Sequence, residues 1–202
     1  MKQKYKKINF IHIVGATGAG TTTLGQALER EFGYKWMDTD GHFWMPSDPP
    51  YSKFFPFEER IKLINEAIQR NEKCVICGSL CGWGDVLIPS LDLVVFLYTP
   101  ADVRIDRLEK REYERFGERI REGGDMYEEH IRFIEWSKTY DNKKEHLELI
   151  DWSKPYDANN PPERSRALQE EWLKLLPCPV LRLDGTSSVD KLLRQIKVII
   201  DE

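Results

Sequence analysis

Short apolar runs alternate along this chain with segments whose apolar residues recur every three or four positions. Residues 7–14 read as a buried strand that runs into a glycine-rich loop. A helix follows, with Leu24, Ala27, Leu28 and Phe32 on one face. Residues 34–37 form a short second strand, and a proline- and aromatic-rich loop over 41–56 leads to a helix in which Phe57, Ile61, Ile64 and Ile68 repeat at helical spacing. The third strand is expected over 73–77. The fourth, over 93–98, is apolar throughout, which predicts a central position in a sheet covered on both faces. A helix over about 101–116, a fifth strand over 180–183 and a closing helix marked by Leu192, Leu193, Ile196, Ile199 and Ile200 complete the pattern. Strands separated by helices imply right-handed crossovers, hence an α/β fold with a parallel sheet and helices on both faces. Residues 117–162 are mostly polar, with Gly123-Gly124 and a breaker-rich stretch over 154–162. They read as part of a helical lid or insertion, spanning 109–162, within one domain of residues 1–202.

Composition narrows the function classes. A chain of 202 residues fits one domain, and an apolar share of 41% can build a packed core. Thirty basic residues against thirty-four acidic leave a net charge of −4, which argues against nucleic acid as the main partner. Lys2, Lys4, Lys6 and Lys7 lead into too short an apolar run for a secretory leader, and no stretch approaches membrane-spanning length. Cys74, Cys77 and Cys81 lie close together, but residues three apart on a strand point to opposite faces, so Cys74 and Cys77 are not expected to share a metal. Reduced thiols and a cytoplasmic address are the expectation.

The chemistry-bearing signal is Gly15-Ala16-Thr17-Gly18-Ala19-Gly20-Thr21-Thr22, placed directly after the first strand and opening the first helix. Its glycines let successive N–H groups turn inward, and the helix N-terminus adds partial positive charge, so the segment reads as an anion cradle for a nucleoside triphosphate. Thr22 stands where such loops place a magnesium-binding hydroxyl. The residue before it is usually lysine, and here it is Thr21. A tight glycine turn without a ligand is the alternative reading.

With these residues in view, the chain resembles the P-loop kinases of small molecules, the group of shikimate, gluconate and adenylate kinases. The resemblance runs in order through Gly15 to Thr22, Asp38-Thr39-Asp40, Gly78-Ser79, an arginine-rich helix and Leu183-Asp184-Gly185. It implies a three-layer fold whose five-stranded sheet has the order 2-3-1-4-5. It also implies that Asp38 joins Thr22 in holding Mg²⁺, that Asp40 orients an acceptor hydroxyl, and that Gly78 and Ser79 line the acceptor pocket. Two carboxylates two apart on an extended segment would face the same way, and a solvated turn is the plainer alternative. Arg60 fits either an acceptor anion or a surface salt bridge, and Trp44, Tyr51 and Trp83 either stack on a planar acceptor or simply pack.

Arg104, Arg107, Arg111 and Arg115 are spaced three, four and four apart, along one helical stripe. In the related kinases such a stripe closes over the triphosphate, with Arg107 and Arg111 here as the lid pair and Arg115, Arg119 and Arg121 within reach of the phosphates. Arg164 and Arg166 are weaker candidates. Pairing with Glu109, Glu112, Glu114 and Glu118 within the helix is the other reading. The expected activity is transfer of the γ-phosphoryl group of ATP to a small-molecule or nucleotide acceptor. Its rival is a nucleotide-binding sensor with little turnover, which Thr21 favours.

Overall fold

The computed structural model describes residues 7–48, 50–141 and 164–201. Five strands, β1 (Phe10–Gly15), β2 (Lys35–Asp38), β3 (Cys74–Cys77), β4 (Leu93–Tyr98) and β5 (Val180–Asp184), form one parallel sheet in the order β2-β3-β1-β4-β5. Seven α-helices accompany them among the described residues: α1 (Thr21–Phe32), α2 (Asp40–Phe43), α3 (Phe57–Gln69), α4 (Ala101–Phe116), α5 (Tyr127–Thr139), α6 (Arg166–Leu173) and α7 (Val189–Ile200). The strand order is the one the resemblance implies.

Alternation along the strands divides the interior into two cores. Phe10, Val14, Cys74, Ile76, Val94 and Phe96 pack on Ile64 of α3 and on Leu168, Trp172 and Leu173 of α6. Ile11, Ile13, Val75, Cys77, Val95 and Leu97 pack on the apolar stripes of α1 and α7. Three layers result, with β1 and β4 shielded on both sides, as the unbroken apolar run of β4 requires. Cys74 and Cys77 fall in different cores, as strand geometry predicts, and among the described residues no cluster suited to a metal ion occurs.

Several local readings shift, and β1 begins at Phe10 rather than at residue 7. The second strand begins at Lys35, one residue later than expected, because the Tyr34 hydroxyl turns inward and donates to the Ile8 carbonyl at 2.6 Å while the Lys35 N–H starts the ladder on Lys73. The segment after Asp38 is not extended: Thr39 has φ −60° and ψ −33°, and α2 begins at Asp40. Within the predicted insertion, α5 packs against α4, and residues 142–163, including the breaker-rich stretch, lie outside the described part.

One polar side chain interrupts the apolar strands. His12 in β1 is wholly buried; its Nδ1–H donates to the Ile76 carbonyl at 3.1 Å, and its Nε2, beside the edge-on ring of Trp172, has no hydrogen-bond partner among the described residues. Burial pulls its pKa from 6.5 down to about 4, the backbone hydrogen bond opposing only in part. The unfolded chain therefore binds this proton more readily between pH 6.5 and pH 4, so stability falls as pH falls through that window, by about 3 kcal/mol from this group. Asp38 and Asp85, whose pKa values burial raises, act in the opposite sense. Urea unfolding of wild type and His12→Leu across the window isolates the term: the wild-type curve falls more steeply, and parallel curves would show that His12 does not titrate as buried.

Candidate functional site

β1 delivers the glycine loop to the carboxyl edge of the sheet, between β3 and β4, and α1 starts as the loop ends. Gly18 and Gly20 have φ of 81° and 101°, a region costly for residues with a Cβ. A methyl at Gly18 would press on the Arg104 carbonyl and Leu108, so the loop sits flush on the first turns of α4. The first turn of α1 carries no acidic side chain and no side-chain cap, which leaves its orphan N–H groups and dipole to an anion.

At the mouth of this loop the structure brings Thr22 and Asp38 together. The Thr22 hydroxyl donates to Asp38 Oδ2 at 3.4 Å, and the Asp40 N–H donates to Asp38 Oδ1 at 2.9 Å. Burial, reinforced by the charge of Asp40, holds the Asp38 pKa above the usual aspartate value, against the hydrogen bonds and Arg164. A hydroxyl and a carboxylate at this separation suit Mg²⁺, which takes few protein ligands and completes its shell with water and phosphate oxygens. Asp40 opens α2, with its carboxylate 3.9 Å from the Arg164 guanidinium.

Gly78 and Ser79 lie beneath this turn. Gly78 has φ 115°, and a methyl there would overlap the Thr39 hydroxyl, so the glycine is what lets β3 approach the aspartate turn. Ser79 is buried, and its carbonyl accepts the Trp83 indole N–H at 2.7 Å. Trp83 itself belongs to the core, edge-on to Phe43. Trp44 and Tyr51 meet edge-on at 6.0 Å in the loop before α3. Arg60 is placed inside the protein rather than at its surface: it is 0% exposed, its Nε donates to the Phe55 carbonyl, and its guanidinium lies 4.4 Å from the Phe43 ring centre.

The arginine stripe divides in two. Arg104 is buried and donates to the carbonyls of Thr99, Thr17 and Ser137, while Arg107 donates to those of Ala19 and Gly185 at 3.4 and 3.1 Å. Arg111 and Arg115 instead share the carboxylate of Glu112, at 2.9 and 3.9 Å. Arg119 grips Asp125 at 2.7 Å and comes within 4.0 Å of Asp48, and Arg121 lies 4.6 Å from the Tyr113 ring centre. Arg166 stacks on Tyr98 at 4.4 Å. Sequence reading gives no weight to Thr99, whose hydroxyl donates to the Ala19 carbonyl at 3.0 Å, or to Asp141, which pairs with Arg104 at 2.7 Å. Thr99 stands just past β4, next to the loop's own strand, and that adjacency was the signal available; Asp141 had none.

Strand order, loop and helix start together define a P-loop kinase-like α/β protein. The family described as an AAA domain matches residues 11–131, and the chain belongs to that family. It is 39% identical over 181 residues to an uncharacterized protein, YqaC, of Bacillus subtilis (strain 168), covering 90% of this chain and 91% of that one. It is also 30% identical over 118 residues to a cytidylate kinase of Thermococcus sibiricus (strain DSM 12597 / MM 739), covering 53% of this chain and 59% of that enzyme. Among solved structures, an unliganded sugar kinase from Janibacter sp. HTCC2649 superposes with a TM-score of 0.49 at 16% identity, covering 96% of this chain and 95% of that one.

Proposed function

We propose that this chain is a cytoplasmic, Mg²⁺-dependent phosphotransferase that moves the γ-phosphoryl group of ATP to a small-molecule or nucleotide acceptor. The observation that carries the reading is the Thr22 hydroxyl beside the Asp38 carboxylate at the mouth of the glycine loop. The likeness to a cytidylate kinase supports a kinase and makes a nucleoside monophosphate a natural acceptor to try. Among the described residues no helix is long and apolar enough to cross a membrane.

In this reading residues 15–22 hold the β- and γ-phosphates through backbone N–H groups and the start of α1. Thr22 and Asp38 hold Mg²⁺, which would neutralise charge on the phosphate oxygens when bound. Asp40 orients the acceptor and, where that is a hydroxyl, takes its proton as the acceptor oxygen bonds to the γ-phosphorus and the bond to ADP breaks; a nucleoside monophosphate would attack through its own phosphate oxygen, with no proton to remove. Gly78 and Ser79 support the acceptor side by fixing the aspartate turn. Arg107 and Arg111 stabilise the charge that spreads over the transferring group. Arg60, seated behind Phe43, contributes to the acceptor pocket by holding the Phe43–Phe54 wall in place.

Thr21 supports a second reading, a nucleotide-binding sensor, because it removes the cation that usually contacts the transferring phosphate. A panel of candidate acceptors with ATP and Mg²⁺, read by ADP release and ³¹P product detection, separates the two. Acceptor-dependent ADP supports the kinase, and tight binding without turnover supports the sensor. Gly20→Val tests the loop that both share. Valine at φ 101° forces the loop out of shape, so calorimetric ADP affinity is expected to fall tenfold or more, about 1.4 kcal/mol. Unchanged affinity would remove the loop from the site.

A further inference from the structure

We infer that Arg104 is a positioning residue that sets the peptide planes of the phosphate loop and ties them to the C-terminal end of α5. The inference rests on the reading of residues 15–22 as a nucleotide cradle. Three loop carbonyls are engaged, one by the loop itself and two by side chains from outside it. Ala16 C=O accepts from the Ala19 N–H at 3.0 Å, Thr17 C=O from Arg104 Nη1 at 3.3 Å, and Ala19 C=O from the Thr99 hydroxyl at 3.0 Å and Arg107 Nη1 at 3.4 Å. In a planar trans peptide the N–H points opposite to the C=O. Holding the Thr17 and Ala19 carbonyls outward therefore aims the N–H groups of Gly18 and Gly20 inward, at an anion.

Arg104 is suited to geometry rather than to supplying the missing cation. Its guanidinium is 0% exposed and pairs with Asp141 Oδ2 at 2.7 Å, so the pair is neutral and a charge is not presented to the ligand. Its remaining donors reach the Thr99 carbonyl at 3.0 Å and the Ser137 carbonyl, in the last turns of α5, at 3.3 Å. One rigid fork thus joins the phosphate loop, the β4–α4 connection and the end of α5. Lysine, a point charge with rotating donors, cannot serve four acceptors in that fixed array. Asp141 orients the fork, and asparagine there would keep one acceptor but lose the charge assistance.

The test measures ADP affinity by calorimetry, together with the melting temperature, for wild type, Arg104→Lys, Asp141→Asn and Ile64→Ala. Ile64 is buried in α3, has no polar side-chain atom to offer the loop, and serves as a control for stability alone. Arg104→Lys is expected to weaken ADP binding tenfold or more and Asp141→Asn three- to tenfold, whereas Ile64→Ala melts lower with affinity within twofold of wild type. Folded Arg104→Lys binding ADP within twofold of wild type would overturn the inference, as would an equal affinity loss in Ile64→Ala. Should Arg104→Lys fail to fold, Asp141→Asn decides by the same twofold limit. Wild type that binds no ADP would instead overturn the nucleotide reading of the loop.

Discussion

Arg111→Ala is expected to lower turnover by roughly 10³ while leaving ADP affinity within a few-fold of wild type, since an arginine that meets transferring phosphoryl charge acts mainly in the transition state. The structure separates it from Arg107, its neighbour on the same stripe. Arg107 is engaged with the Ala19 and Gly185 carbonyls, so its loss loosens the contact between the phosphate loop and the loop after β5 and weakens ground-state binding as well. Among the described residues Arg111 pairs with the adjacent Glu112, and its side chain is 39% exposed. Glu112 is itself buried, but the half-exposed guanidinium can be drawn across by a bound triphosphate, which offers more negative charge than one carboxylate. Two variants therefore give two signatures: Arg111→Ala loses kcat alone, and Arg107→Ala loses kcat and about tenfold in nucleotide affinity. Wild-type turnover in Arg111→Ala would end its catalytic role and leave the Glu112 pair as its whole function. Glu112→Gln sharpens the contrast, because it releases Arg111 and should not slow the reaction.

How far the sequence reaches depends on whether a feature is periodic or partnered. The apolar run of β4 marks a strand shielded on both faces, and strand alternation sends Cys74 and Cys77 to different cores, both by arithmetic on neighbouring positions. The arginine stripe is likewise legible as a stripe. Its division is not, because Arg104 finds Thr17 at a separation of 87 residues and Asp141 at 37, while Arg111 and Arg115 find Glu112 beside them. Arg60 shows the same limit from another side. Helical spacing places it on α3, but that its guanidinium lies against Phe43 and Phe54 depends on how the 41–56 loop folds back, through the bridge between Trp44 and Phe54. The aspartate turn departs from the extended segment expected because Gly78 lets Thr39 close onto β3 and the Thr39 N–H bonds to the Cys77 carbonyl at 2.8 Å.

Asp38→Asn is expected to raise the Mg²⁺ concentration needed for half-maximal activity and to lower turnover by on the order of 10² to 10³, the scale of losing one preorganised charge-stabilising group. The pH dependence follows from the environment of the carboxylate. Burial keeps the Asp38 pKa above the ordinary value, so protons compete with metal at a higher pH than they would at an exposed aspartate. The acid limb of wild-type activity should accordingly move to lower pH as Mg²⁺ is raised, and Asp38→Asn should lose that Mg²⁺-dependent movement. Stability runs the other way. A carboxyl whose folded pKa is raised binds its proton more tightly in the folded state, so its contribution is full below pH 3.8 and is lost as pH rises through the folded value. At neutral pH the ionised Asp38 is therefore a cost to the apo protein, and the neutral amide should melt higher even as it works worse. Opposite changes in melting temperature and turnover are what a residue held for metal binding predicts. If Asp38→Asn melted lower with its Mg²⁺ requirement unaltered, the carboxylate would belong to the turn that starts α2, and Thr22 would have no partner for a metal.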